Sequence, residues 1–313
     1  MTSAGRSPLA VPDLVRQRAT ANGATGRRWL VELPEVVESL AARWGLSIGE
    51  TFTGGTSGLV LAAVDETGRA CVLKVAMPLE WNDLDSFRRS VRVHELAEGR
   101  GCARLYAHDV DMSALLMERL GRNLAELEQP VPRLLESVTE TLRVFWRPVT
   151  EECGLPTGVD KTAWLADYIT TSWDELGQPC ARQVVDRALD YCAQRAAAFD
   201  PSVAVLVHGD AHGWNTVEAG EGTFKFVDPE GLRSEPAHDL GVLMREYNEP
   251  LAEGDTFRLT RERAELLAGW CDIDPEPVWQ WGFIERVSTG MANIRDFDND
   301  GGALFLEVAT RCL

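Results

Sequence analysis

Early in the chain, apolar residues recur at helical spacing in Val36, Val37, Leu40 and Trp44, and Gly45 follows as a stop signal. The spacing predicts one amphipathic helix from Leu33 to Trp44. The pattern then shortens to strand-like runs within TFTGGTSGLVLAAVDETGRACVLKVAM, where Asp65, Glu66, Thr67 and Gly68 provide turn chemistry between two strands. A hairpin with a glycine-rich entry is expected. The polar stretch EWNDLDSFRRSVRVHELAEG reads as helix, and ARLYAHDVDMSALLMERL reads as a second strand pair turning near Asp109 and Asp111.

Past Gly121 the period changes to three or four, as in Leu134, Val138 and Leu142, or Val184, Val185, Leu189 and Cys192. Long helices follow from that period. One stretch interrupts them: SVAVLVHGDAHGWNTVEAGEGTFKFVDPEG reads as two short strands around a loop and a Gly-Glu-Gly turn. The stripe Trp279, Phe283, Val287 and Met291 is at i, i+4 spacing and reads as helical core. These patterns describe an α+β chain, with a β-rich part over residues 1–120 and a mostly helical part over 121–313.

Composition narrows the class. The chain has 313 residues, 45% apolar and 26% charged, with no apolar run approaching the about 20 residues that span a bilayer. Its first twenty residues lack a basic segment followed by an apolar one, so a cytoplasmic protein with no membrane association is expected. Seven cysteines in odd number and without any C-x-x-C pair argue against a disulfide framework or structural zinc. The net charge of −18 repels nucleic-acid phosphates and favours a cationic small-molecule partner.

Candidate chemistry concentrates in LVHGDAHGWN, residues 206–215. On a regular strand His208, Asp210 and His212 would share one face and form a three-ligand metal site. Gly209 and Gly213 weaken such a strand, and a polar loop with backbone-bonded side chains is the plain alternative. A third reading joins Asp210 to Asn215 five residues later and to Asp228 on the following strand. Phosphoryl transfer needs a carboxylate against the acceptor hydroxyl, and an amide oxygen with a second carboxylate to hold magnesium. Asp210, Asn215 and Asp228 supply these groups in that order.

His-x-Asp-x-x-x-x-Asn followed by Asp228 in Asp-Pro-Glu resembles the protein-kinase catalytic loop and magnesium motif. HGDAHGWN with VDPEGLRSEPAHDLG is similar to the aminoglycoside phosphotransferases. The DPE triplet, ARLYAHD, LLMERL and WGFIERVSTG resemble the group containing streptomycin 6-kinases and hydroxyurea-resistance kinases, from about Leu33 to the carboxyl end. The resemblance implies a protein-kinase-like two-lobe fold, with a β-rich nucleotide-binding lobe and a helical catalytic lobe. It implies an ATP- or GTP-dependent enzyme that uses Mg2+ and phosphorylates a hydroxyl of an aminoglycoside or related polar antibiotic, conferring resistance.

The resemblance also distributes roles. Lys74 in CVLKVAMP would reach the nucleotide phosphates, Ser57 and Gly58 in TGGTSG would approach them, and backbone groups from Glu118 to Leu120 would meet the adenine. The partner of Lys74 stays unassigned, with Glu95, Asp85 or neither as the alternatives. His208 and Asp239 would fix the catalytic loop, while Glu230, His212 and Trp214 are the candidates on the acceptor side. Kinases of small metabolites and a catalytically silent nucleotide-binding module are the alternatives, and the assembly expected is a monomer or weak homodimer.

Overall fold

The computed structural model describes residues 9–53, 57–78, 84–297 and 300–313. Backbone proximity divides the chain into two units, residues 1–99 with 103–120, and residues 100–102 with 121–313.

In the first unit α1 (Asp13–Ala21) and α2 (Gly23–Trp44) precede β1 (Ser47–Thr51), β2 (Gly58–Val64) and β3 (Ala70–Ala76). Helix α3 (Leu84–Ala97), β4 (Leu105–Asp109) and β5 (Ala114–Glu118) complete it. The strands form one antiparallel sheet in the order β1-β2-β3-β5-β4. The opening helix thus starts at Gly23 rather than Leu33, with a further helix before it. Pro34 lies exposed inside α2, so the bond lost for want of an N–H falls on a water-facing side and does not end the helix. Gly45 ends it as expected, in the left-handed region at φ 62° with its N–H on the Ala41 carbonyl.

Alternation along the strands sorts the core. Leu59, Leu61, Leu73, Val75 and Ala114 meet Leu33, Val37 and Leu40 of α2, while Ala76, Leu115 and Met117 meet Phe87 and Val91 of α3. Each buried Val, Leu, Phe or Met side chain among these contributes about 1.5–3 kcal/mol of transfer free energy. Lys74 falls between Leu73 and Val75 and therefore lies on the α3 face, opposite Val60 on β2 and Leu115 on β5.

The second unit runs α4 (Val131–Phe145), α5 (Gly158–Glu175), α6 (Arg182–Ala197), β6 (Val205–Val207), β7 (Thr216–Gly220), β8 (Thr223–Phe226) and β9 (Leu232–Ser234). Helices α7 (Ala237–Met244), α8 (Glu249–Ala252), α9 (Thr256–Cys271), α10 (Pro275–Phe297) and α11 (Asp300–Thr310) follow. Thr157 and Asp160 start α5 with a reciprocal capping box. Trp279, Phe283, Val287 and Met291 are buried in α10, as their spacing predicts. Four short strands stand where the sequence predicts two: β7 pairs β8 across the Gly220, Glu221, Gly222 turn, and β6 pairs β9. Strand β9, Leu-Arg-Ser, is too short to show a period of two. Among the described residues no helix is long and apolar enough to cross a membrane, and all seven cysteines are free thiols.

Candidate active site

Strand β6 delivers the chain into a loop that is fixed from beneath by Asp239, on α7. This fully buried carboxylate accepts the backbone N–H of His208 at 2.9 Å, that of Gly209 at 2.8 Å, and the Trp146 indole N–H at 2.8 Å. Three donors satisfy a charge that could not otherwise be buried. His208 is equally inaccessible. Its Nδ1 accepts the N–H of Asp210 at 3.2 Å and its Nε2 donates to the Val227 carbonyl at 3.0 Å, while the ring packs against Phe145 and Phe226. Burial pushes its pKa down, in keeping with a neutral ring. Both residues serve loop geometry, as the sequence suggests.

His208 therefore has both ring nitrogens engaged by backbone groups, those of Asp210 and Val227. Among the described residues no three His, Cys, Asp or Glu side chains converge to hold a metal, so the three-ligand cage does not form.

Asp210 stands at the centre of the loop. Its Oδ2 receives Asn215 Nδ2 at 3.1 Å and His212 Nε2 at 3.2 Å, and the same Asn215 nitrogen reaches the Asp210 carbonyl at 3.0 Å. The Trp214 N–H points at His212 Nδ1 at 3.3 Å, which leaves Nε2 to carry the proton that Asp210 accepts. The other oxygen of Asp210, Oδ1, is bonded by Arg245 Nη2. Burial on its own would raise the Asp210 pKa. His212 and then Arg245 reverse that and hold the carboxyl well below the usual range. Reciprocally, burial lowers the His212 pKa and Asp210 raises it, with a net rise.

Arg245 belongs to a chain of alternating charges. Its Nη1 donates to Glu285 Oε2 at 2.9 Å, and Glu285, buried in α10, also lies 3.4 Å from His238 Nε2. Burial works to raise the Glu285 pKa, but Lys161, His238 and Arg245 pull it down to about 2. Lys161, on α5, bonds Glu230 Oε2 at 2.9 Å and sits 5.1 Å above the Trp164 ring. Sequence reasoning missed Arg245, Glu285 and Lys161. The signals were an arginine directly after the apolar run of α7 and a charged pair, Glu285 and Arg286, set between the apolar Ile284 and Val287.

The second strand segment is stitched to this loop through its backbone. The N–H of Val227 donates to the Asn215 carbonyl at 2.9 Å, and the N–H groups of Glu230 and Gly231 both donate to the His208 carbonyl at 3.0 Å. Asp228 follows Val227 with φ 56°, a left-handed conformation that Asp tolerates better than most residues. Asn215 thus has its amide nitrogen spent on Asp210, which leaves its oxygen as the group available to a cation. An amide oxygen beside a carboxylate is the hard donor set that Mg2+ accepts while keeping several waters.

The remaining candidates differ in engagement. Glu230 is half-exposed and tied to Lys161. His212 is mostly buried and faces Asp210 rather than solvent. The Trp214 side chain is 55% exposed, and its carbonyl takes the Asn123 amide. In the first unit, Met77 donates its N–H to the Ser57 carbonyl at 2.8 Å. Gly58 opposes Ala76, and a Cβ there would stand 2.4 Å from the Val75 oxygen, so close backbone approach alone requires glycine. Gly54 and Gly55 lie outside the described residues. Asp85 pairs with Arg88 and Glu95 with Arg92 along the surface of α3. Glu118 gives its N–H to the Arg104 carbonyl at 2.8 Å, and Leu120 is partly buried at the end of the unit.

The family model described as aminoglycoside/hydroxyurea antibiotic resistance kinase matches residues 43–301. A streptomycin 6-kinase from Streptomyces glaucescens is 26% identical over 292 residues, 92% of each chain. A hydroxyurea phosphotransferase from Kitasatospora aureofaciens is 27% identical over 91% of this chain and 80% of its own. An ADP-bound aminoglycoside phosphotransferase structure superposes with a TM-score of 0.53 at 13% identity, covering 89% of this chain and 99% of that one. Likeness at that distance shows the protein-kinase-like fold.

Proposed function

Because the chain belongs to the aminoglycoside/hydroxyurea antibiotic resistance kinase family, whose named relatives are small-molecule phosphotransferases, we propose that it phosphorylates a hydroxyl of a streptomycin-like aminoglycoside and so inactivates it. The observation that supports this reading is the direct 3.1 Å bond between Asp210 and Asn215, together with the backbone bond to Asn215 from Val227, the residue before Asp228. In this reading Asp210 accepts a hydrogen bond from the acceptor hydroxyl and takes its proton as the new O–P bond forms. The low proton affinity of Asp210 supports orientation of the hydroxyl over early removal of its proton.

Asn215 and Asp228 are the proposed holders of Mg2+, which supplies charge compensation on the nucleotide phosphates. Lys74 is the proposed cation for the α and β phosphates, with Ser57 and Gly58 lending backbone groups and the Glu118 to Leu120 backbone meeting the base of ATP or GTP. Glu230, His212 and Trp214 are proposed on the acceptor side, where the net charge of −18 favours a cationic acceptor. The reading includes a cytoplasmic monomer or weak homodimer that binds neither nucleic acid nor membrane. Division into a nucleotide-binding lobe over 1–120 and a catalytic lobe over 121–313 is part of the same proposal.

A second acceptor follows from the hydroxyurea phosphotransferase relative. The two separate in one experiment, ADP release from Mg-ATP measured over streptomycin, other aminoglycosides, hydroxyurea and amino sugars. Acceptor-dependent release with streptomycin, and a phosphorylated product by mass, is the expected result. Release with hydroxyurea alone transfers the reading to that acceptor, and no acceptor-dependent release with any compound overturns it.

A further inference from the structure

We infer that Arg245 is a positioning residue of the transfer step: bridging Glu285 and Asp210, it fixes the direction in which the Asp210 carboxylate points. The inference rests on the reading of Asp210 as the group that orients the acceptor hydroxyl.

Three observations carry it. First, Asp210 is on a loop, whereas Glu285 is on α10, one of the most buried helices of the unit, with Ile284 and Val287 inaccessible beside it. Arg245 joins the two through different nitrogens, Nη2 to Asp210 Oδ1 and Nη1 to Glu285 Oε2. A planar guanidinium can serve two carboxylates in one fixed geometry, which an ammonium cannot.

Second, the backbone that carries Arg245 is pinned. Arg286 bonds the Met244 carbonyl and reaches Asn248 Oδ1 at 3.0 Å, and Arg263 bonds the carbonyls of Glu246 and Tyr247. Two buried arginines thus cap the carboxyl end of α7, where carbonyls would otherwise lack donors. The turn they fix holds Tyr247 at φ 53°, a conformation uncommon for a bulky residue and one that the surroundings must impose.

Third, the two oxygens of Asp210 are held by different means. Asn215 and His212 act on Oδ2 from within the loop itself and move with it. Only Arg245, among the described residues bonded to this carboxylate, ties it to the helical core. With Arg245 removed, the carboxylate keeps only the contacts made to Oδ2 from its own loop, and Oδ1 has no tie to the helical core. Misplacement by about 1 Å costs about 10²-fold in rate.

The test compares Arg245→Ala, Arg245→Lys and Asp210→Asn with the unmodified protein, using streptomycin and Mg-ATP, with hydrolysis of ATP by water as an acceptor-independent readout. Arg245→Ala is expected to lose about 10²-fold in kcat with the KM for Mg-ATP within about twofold. Added guanidinium ion, at a few millimolar, is expected to restore part of that loss, and Arg245→Lys to fall between. A role confined to neutralising Glu285 would instead lower the melting temperature and leave turnover of the folded protein intact. Wild-type kcat in folded Arg245→Ala, or a loss that guanidinium does not relieve, overturns the inference. Should Arg245→Ala not fold, full turnover in Arg245→Lys overturns it, because one ammonium does not reproduce the bridge. If Asp210→Asn is itself active, the reading of Asp210 fails; if it is inactive while Arg245→Ala is not, only the present inference fails.

Discussion

Asp239 accepts the backbone N–H of Gly209 at 2.8 Å, although thirty residues separate the two in the chain. With the N–H of His208 and the indole of the partly buried Trp146, the fully buried carboxylate closes three donors. Asp239→Ala leaves all three without a partner. Hydrogen bonds to a charged group are each worth about 1.5–3 kcal/mol, so a loss of at least about 3 kcal/mol is expected, with activity lost along with stability. Thermal unfolding checks it, and a variant melting within a degree or two of the parent contradicts the role.

Asp210→Asn keeps the shape of the side chain but removes its charge. Turnover is expected to fall by about 10²–10⁴-fold while nucleotide affinity is retained. Steady-state ADP release together with titration of a fluorescent nucleotide separates the two quantities.

For Asp228 the expected defect lies in binding. Asn tolerates the left-handed conformation at φ 56°, so Asp228→Asn tests the charge without disturbing the backbone. Affinity for Mg-ATP is expected to weaken by at least about tenfold. Equal nucleotide affinity with and without magnesium in the parent protein would count against the assignment.

Acid should destabilise the protein through Glu285. Its folded pKa, about 2, is below the ordinary glutamate value of 4.5, so the folded state favours the ionised form. The associated stability, on the order of 3 kcal/mol, is fully present above pH 4.5 and lost as pH falls from there toward 2. Denaturant midpoints measured between pH 6 and 3 should fall more steeply in the parent than in Glu285→Gln. Parallel curves would show that Glu285 contributes nothing.

Much of this was legible in the sequence where the governing interactions are local. The periods of two and about 3.6 found β2, β3, β4, β5, α4, α6 and α10. The loop chemistry was legible for the same reason, because Asp210, Asn215 and His212 lie within one turn of chain and bond one another. What stayed hidden depends on tertiary pairing. Arg245 meets Asp210 across 35 residues and Glu285 across 40, and Lys161 meets Glu230 across 69. No spacing rule announces such partners. A buried carboxylate signals only that some cation must exist, and the fold decides which one. The start of α2 was misplaced because the spacing was followed only from Leu33, whereas the helix begins at Gly23 and carries Pro34 on an exposed face.

The ribbon of β7 and β8 separates Asn215 from Asp228. Its ladder pairs Thr216 with Phe226 at one end, beside both residues, while Gly220, Glu221 and Gly222 turn at the other end in solvent. The number of amino acids between the amide and the carboxylate therefore measures the length of a hairpin and has no bearing on their chemistry. Distant family members with longer or shorter ribbons can keep the same pair, and a motif search with a fixed gap would pass them over. The same separation makes Glu221 a place where a peptide tag can be inserted without displacing Asn215 or Asp228.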